Sequence, residues 1–157
     1  GDWSSDVCSS DLGTGDLAIS LGQLIPSSEI VVITTPQIAA AEVAERAGRI
    51  AHQLKQHIIG VVENMSDMKC PKCGEKLSLF GNGGGEESAK RLSNLVGAEV
   101  PVIASIPFTP ELREGGDNGN PIVISDPNCD ASKAIMELSL KLAKRSQSIV
   151  GRRLPVS

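Results

Sequence analysis

Runs of β-branched residues alternate with helical patterns from residue 17 onward, and this alternation constrains the fold more than any other feature of the chain. The segment EIVVITT (29–35) is a continuous apolar run, which is typical of a strand buried on both faces. Two further strands are predicted at IIGVVENM (58–65) and VIASIPF (102–108). Helical patterns cover residues 17–25, 37–54 and 86–96 and resume near Asp130. This order predicts an α/β fold, in which helices flank a mostly parallel sheet.

Two of the predicted helices carry apolar residues at helical spacing. In the segment 37–54 these residues follow a 4-3-4 spacing, and they are Val43, Ala47, Ile50 and Leu54. In the last helix they are Ala131, Ile135, Leu138 and Leu142. Residues at this spacing lie on one side of a helix, so we expect both sets to face the core.

The composition argues against several classes of partner. Aromatic residues make up only 2% of the chain, which disfavours binding of single-stranded nucleic acid by base stacking. A formal net charge of −4 provides no basic stripe for a phosphate backbone. No segment approaches the roughly 20 apolar residues of a membrane span, and the first residues lack the pattern of a signal peptide. We therefore predict a cytoplasmic protein without nucleic-acid or membrane partners.

Ligands of parallel α/β sheets bind beyond the carboxyl ends of the strands, so the segments at those positions form the candidate site. In GTGD (13–16) two glycines free backbone N–H groups for an anion, and Asp16 can position water or a Mg²⁺ hydrate. The alternative is a tight turn with Asp16 as the helix N-cap. In ENMS (63–66) the Asn64 amide offers a donor and an acceptor that match a purine edge, or it satisfies the local turn. In TTPQ (34–37) the proline suits the first turn of a helix, so a structural role is enough to account for this segment.

The segment CPKCG (70–74) is the sharpest chemical signal. Two thiolates two residues apart can direct both sulfurs at one metal ion. A tetrahedral site needs four ligands, and the chain contains no second CxxC pair. We therefore expect a second copy of the chain to complete a four-thiolate site across a dimer axis. A redox pair or a disulfide at Cys70 and Cys73 are the alternatives. The neighbouring GNGGGEE (81–87) is interpreted as a flexible joint that carries this cysteine loop.

Four segments in order resemble the carboxyl-terminal part of the Mrp/ApbC family, and they are GTGD, VVITTPQ, GVVENMSDMKCPKCGEKLSLFGNGGGEE and IPFTPELREGGDNGNPIV. This family consists of P-loop ATPases of the MinD/ParA-like group that act as iron–sulfur cluster carriers. The resemblance covers residues 13–145, with a cysteine-bearing insertion at 66–85. It implies a partial P-loop NTPase fold and a protein that delivers iron–sulfur clusters to apo-proteins.

The resemblance also implies roles for particular residues. Cys70 and Cys73 would bind a 4Fe–4S cluster that bridges two subunits of a homodimer. Asn64 would contact the adenine of ATP, with the backbone near Pro107 and Phe108 closing over the base. The switch loop that senses the γ-phosphate would be formed by Gly13, Thr14, Gly15 and Asp16, with Asp16 as the catalytic residue.

The chain departs from the family pattern in several places. Ile38 follows TTPQ, where the family has an acidic residue, and no GKS or GKT of a P-loop occurs. We therefore expect the chain to be a carboxyl-terminal fragment of a longer parent protein. The fragment alone should hold ATP poorly, whereas the full-length parent should bind ATP and Mg²⁺. The segment WSSDVCSSDL (3–12), which includes Cys8, resembles a translated sequencing adapter, so residues 1–12 are predicted to be a non-native leader. The alternative is a natural disordered leader rich in Ser and Asp. Residues 146–157 are predicted to be a flexible tail.

Two other functions remain open at this point. One is a structural zinc-binding dimerisation module without catalytic activity. The other is a MinD-like partition ATPase, whose membrane contact would lie in residues 131–145, where four basic side chains accompany the apolar face. These basic residues are Lys133, Lys141, Lys144 and Arg145.

Overall fold

Three parallel strands organise the computed structural model, which describes residues 16–25, 28–70 and 72–149. In chain order the elements are α1 (Asp16–Leu24), β1 (Glu29–Thr34), α2 (Ala40–Gln53), β2 (His57–Ser66), β3 (Met68–Lys69), β4 (Lys76–Leu77), α3 (Gly84–Val96), β5 (Val102–Pro107), α4 (Pro110–Asp117), α5 (Ile122–Ser125) and α6 (Asp130–Ile149). The main sheet has the order β1–β2–β5, and both of its pairings are parallel. The predicted α/β class and its three parallel strands are confirmed. The prediction that β1 is buried on both faces is wrong, because Val32 faces the core whereas Ile33, on the opposite face, is 61% exposed.

The core lies between this sheet and the helix pair α2 and α3. Val32 of β1 and Val61 of β2 face Leu92 of α3, and Leu92 is completely buried. The chain has few aromatic residues, so aliphatic and alanine side chains fill this space. Close packing of such small side chains requires the helix backbones to approach the sheet and each other closely.

The buried face of α2 differs from the one that the sequence predicts. Val43, a member of the predicted stripe, is 58% exposed. The buried residues instead follow a neighbouring stripe of small side chains, and they are Ala41, Ala44, Gly48 and Ala51. A Cβ atom at Gly48 would lie 2.1 Å from Leu92 Cδ2, so Gly48 marks a very close approach of α2 and α3. Larger side chains cannot occupy that face, because no room remains for them between the two helices.

The last helix buries the face that the sequence predicts. Ala131 is fully buried and Leu138 is half-buried, whereas Met136 and Leu140 on the other side are at least half exposed. Lys141 Nζ donates a hydrogen bond of 2.8 Å to the Ile103 carbonyl of β5. The helix extends to Ile149, which lies beyond the predicted domain boundary at residue 145.

The glycine cluster before α3 packs tightly against the end of β1. Helix α3 begins at Gly84 rather than Glu86, and both Gly84 and Gly85 are buried. Gly84 N–H donates to the Pro36 carbonyl at 3.0 Å. A Cβ atom on Gly84 would lie 2.3 Å from the Thr35 carbonyl oxygen, which belongs to rigid backbone. The prediction of a flexible joint is therefore wrong at these two glycines, because their lack of a side chain permits close packing.

The substitution Gly84→Ala tests this packing. Its methyl group meets backbone oxygen rather than a side chain that can move, so we expect a loss of about 1–3 kcal/mol in the free energy of unfolding. Urea denaturation followed by circular dichroism measures this loss. The matched control is Gly116→Ala in α4, where no heavy atom lies within 4 Å of the new Cβ. Equal stability of the two variants would show that the contact at Gly84 does not constrain the fold.

Candidate functional site

A cavity of about 760 Å³ lies at the carboxyl ends of the parallel strands. Its volume is within the range of small-molecule pockets. Its walls come from the ends of β2 and β5, from residues 81–83 and 108–111, and from the segment between β2 and α3. The side of the sheet on which the sequence places a ligand site is therefore the side that holds this cavity.

The predicted nucleotide residues are distributed unevenly around this cavity. Pro107 and Phe108 line it. Asn64 Oδ1 accepts a hydrogen bond of 2.9 Å from Met65 N–H. Met65 itself has a strained backbone, with a φ of +59°. This hydrogen bond is the one expected if Asn64 satisfies the local turn, which was the alternative to a nucleotide contact. The contact of Asn64 with adenine stays a prediction. Asp16 is the first residue of α1, whereas Gly13, Thr14 and Gly15 lie outside the described residues.

The two cysteines lie at the tip of a short antiparallel hairpin, which we call the cysteine hairpin and define as residues 68–70 and 72–77. Its strands β3 and β4 pair Met68 with Leu77 and Lys69 with Lys76. Cys70 N–H donates to the Glu75 carbonyl at 2.8 Å, and Gly74 N–H donates to the Cys70 carbonyl at 2.8 Å. Strands of two residues carry no periodic signal, so the sequence does not predict them.

The hairpin backbone favours the thiolate form of Cys70. The backbone N–H groups of Cys73 and Lys72, together with the Cys73 side chain, lower the pKa of Cys70, and partial burial opposes this effect. Thiolates are the form of cysteine that binds metals. Cys73 itself is exposed to solvent. The pair lies in a hairpin turn and not at a helix N-terminus, a position that disfavours the redox alternative.

The described residues do not complete a metal site within one chain. Among them, no group of three or more His, Cys, Asp or Glu side chains could hold a metal ion. Cys129, the third cysteine of the described part, caps α6, where its Sγ accepts a hydrogen bond of 3.3 Å from Ser132 N–H. Cys70 and Cys73 alone could therefore supply only two of the ligands of a four-coordinate metal.

Two contacts hold the cysteine insertion against the cavity. The rings of Phe80 and Phe108 pack edge to face, with centroids 5.7 Å apart. Lys69 Nζ lies 2.5 Å from Asp130 Oδ2, and this ion pair lowers the pKa of Asp130. The ion pair is well exposed, so solvent screens it and it contributes little to stability, whereas such an aromatic pair adds about 0.5–1.5 kcal/mol beyond its buried area.

Sequence reasoning did not identify Phe80 as part of the site, nor three charged residues that line the cavity, which are Lys69, Asp130 and Glu63. Phe80 left one usable signal, because Phe80 and Phe108 are the only two phenylalanines of the chain. In a chain so poor in aromatic residues, the two rings are the natural partners for each other. The roles of the three charged residues depend on long-range contacts, for which the sequence carries no local pattern.

Within the part of the chain that the structure describes, none of the helices combines the length and the apolar character that a membrane crossing requires.

Comparisons with known proteins identify the family. The model for "ParA: NUBPL iron-transfer P-loop NTPase" matches residues 8–143. An iron–sulfur cluster carrier protein of Mycobacterium leprae is 50% identical over 148 residues, which are 93% of this chain and 38% of that protein. The iron–sulfur cluster transfer protein NUBPL of Mus musculus is 33% identical over 136 residues, which are 87% of this chain and 41% of that protein.

Solved structures agree with this fold. A nucleotide-binding protein of Archaeoglobus fulgidus, solved in complex with ADP, has a TM-score of 0.56 at 33% identity and covers 75% of this chain and 45% of its own. The cell division protein MinD of Aquifex aeolicus has a TM-score of 0.53 at 22% identity, which supports the fold alone, and covers 85% of this chain and 48% of its own.

The chain spans about two fifths of the length of these curated relatives. The family model, however, matches most of the chain, including the parallel sheet, the carboxyl-edge cavity and the cysteine hairpin. The resemblance that the sequence motifs carry is confirmed, and the chain belongs to the ParA family of NUBPL-type iron-transfer P-loop NTPases.

Proposed function

We propose that Cys70 and Cys73 bind an iron–sulfur cluster as cargo, and that the parent protein delivers this cluster to apo-proteins. The observation that carries the proposal is the cysteine hairpin, whose backbone N–H groups at residues 72 and 73 stabilise a thiolate at Cys70. A thiolate is the ligand that iron–sulfur clusters use. The exposure of Cys73 supports the proposal, because a transferable cluster must be accessible to the recipient.

We infer further that two copies of the chain share one 4Fe–4S cluster. Such a cluster binds four thiolates, and one hairpin supplies two. A two-fold axis through the hairpin tips brings the same two sulfurs from each copy to one cluster. Cys129 does not replace the second copy, because its sulfur is occupied in the cap of α6.

A nucleotide role belongs to the full-length parent in this proposal. ATP with Mg²⁺ binds at the carboxyl edge of the sheet, where Pro107 and Phe108 line the cavity. Asn64 contacts the adenine through its amide. The segment 13–16 senses the γ-phosphate, and Asp16 positions the attacking water. The cytoplasmic location stays a prediction of the sequence.

Anaerobic reconstitution with iron and sulfide tests the cluster proposal. We expect a brown protein with sulfur-to-iron charge-transfer absorbance, about four iron and about four sulfide per two chains, and a dimer in sedimentation analysis. Cys73→Ser removes one ligand from each copy, so this variant should retain no cluster. Cys129→Ser is the matched control and should retain the full cluster content.

One outcome would favour the structural zinc module over the cluster carrier. A protein that stays colourless after reconstitution and holds one zinc ion per dimer on Cys70 and Cys73 would refute the cluster proposal. A cluster content that is equal in Cys73→Ser and in the unmodified chain would also refute it, because other residues would then bind the cluster.

The thiolate preference of Cys70 predicts a specific pH dependence. The N–H groups of Cys73 and Lys72 lower the pKa of Cys70 in the folded chain, and unfolding removes them. Alkylation requires the thiolate, so the rate at Cys70 should rise at lower pH in the folded chain than in the urea-unfolded chain. Mass spectrometry of iodoacetamide-treated samples across a pH series measures both profiles. Coinciding profiles would contradict the proposed N–H stabilisation.

A further inference from the structure

We propose that Met65 is a hinge with two backbone states, and that it sets the position of the cysteine hairpin relative to the sheet. In the state that the structure shows, Met65 has a φ of +59° and so lies in the left-handed region. In the second state Met65 is extended, and the chain that follows it lies one residue further along β5. The hinge requires no metal, no nucleotide and no second copy, so it goes beyond the proposed function.

Met65 is the extra residue of a bulge in the pairing of β2 with β5. Asn64 pairs with Ile106 and Ser66 pairs with Pro107, so Met65 has no partner on β5. A left-handed backbone is unfavourable for every residue with a side chain, and it persists only where the surrounding structure maintains it. Strained residues of this kind cluster at functional sites, and this one lies at the carboxyl edge of the sheet.

The contacts before Met65 are firmer than those after it. On the near side, the Glu63 carboxylate accepts a hydrogen bond of 2.8 Å from Gly85 N–H. On the far side, the Ser66 carbonyl accepts a long hydrogen bond of 3.4 Å from Phe108 N–H. The next contact along the chain is the exposed ion pair of Lys69 with Asp130, which solvent screens. A change at Met65 therefore moves the chain after it rather than the sheet before it.

The second state keeps the hydrogen bond at the strand end and removes the strain. When Met65 is extended, it takes the place of Ser66 opposite Pro107, and its carbonyl accepts the Phe108 N–H. The hydrogen bond of 2.9 Å from Met65 N–H to Asn64 Oδ1 opposes this change, because it belongs to the left-handed state. An extended residue adds about 3.3 Å of chain, and a slip by one residue turns each following side chain to the other face of the strand.

The residues that such a slip displaces belong to the cavity and lead into the hairpin. Four consecutive residues after the hinge line the cavity, and they are Ser66, Asp67, Met68 and Lys69. Cys70 follows them directly. The shape of the cavity wall and the position of the cysteines therefore change together when the hinge changes state.

One consequence rests on the proposed function, in which the Asn64 amide contacts adenine. A nucleotide that takes Asn64 Oδ1 away from Met65 N–H removes the contact that maintains the left-handed state. Nucleotide binding then favours the extended state and moves the cysteine hairpin. The hinge itself is tested without nucleotide and without cluster, so its failure is distinguishable from a failure of the proposed function.

The test records amide NMR spectra of the whole reduced, metal-free chain and of its variants. Asn64→Ala removes the acceptor of the Met65 N–H, and Met65→Val places a β-branched residue where a positive φ is strongly disfavoured. Both variants should shift the Gly74 amide signal along one line and in one direction, because both increase the share of the extended state. Nuclear Overhauser contacts of Pro107 should pass from Ser66 to residue 65.

Addition of Met65→Gly to Asn64→Ala should reverse the shift. Glycine adopts a positive φ without a steric cost, so the ratio of extended to left-handed chains should fall about tenfold relative to Asn64→Ala alone. Lys55→Gly is the matched control, because Lys55 has a φ of +56° at the end of α2, away from β5. This control should leave the Gly74 signal unchanged.

Circular dichroism verifies that each variant is folded, and Asn64→Ala with its glycine partner decides the question if Met65→Val does not fold. The hinge is refuted if Asn64→Ala leaves the Gly74 signal in place, or if Met65→Gly does not reverse its shift. Contacts of Pro107 with Ser66 that persist in every folded variant would also refute it, because the register would then be fixed.

Discussion

The Glu63 carboxylate, at the end of β2, accepts a hydrogen bond of 2.8 Å from Gly85 N–H at the start of α3. This contact joins the two ends of the segment that carries the cysteines, and the position of that segment depends on it. The contact requires that α3 start close to the sheet, which is possible because Gly84 and Gly85 have no side chains there. A loop of about 20 residues is thereby closed at its base, and closing its base restricts the conformations of the hairpin above it.

The far side of the same loop rests on the end of β5. Phe108 belongs both to the wall of the cavity and to the aromatic pair with Phe80. Lys69 of the hairpin also lines the cavity and pairs with Asp130 at the start of α6. The cysteine hairpin and the cavity at the carboxyl edge therefore share residues, so a change in the shape of one alters the contacts of the other.

The chemistry of the hairpin follows from how many sulfurs it supplies. The pKa of Cys70 is lowered by backbone N–H groups, and the two cysteines of one hairpin supply two of the four thiolates that the proposed cluster needs. In the proposed function, a second copy of the chain therefore supplies the other two thiolates. In the same proposal, the exposure of Cys73 serves transfer of the cargo.

The sequence alone determined the three parallel strands, the order of the long helices, the cysteine pair and the family. It could do so because β-branched runs, helical spacing and the CxxC motif are local patterns. The tertiary structure decided which stripe of α2 is buried, because two adjacent stripes of α2 are apolar and the room beneath Leu92 admits only the smaller one. The tertiary structure also determines that Gly84 and Gly85 are closely packed instead of forming a flexible joint, and that the cysteine hairpin forms. It likewise brings the Phe80 ring against the Phe108 ring. These features depend on contacts between residues far apart in the chain, and such contacts leave no periodic trace in the sequence.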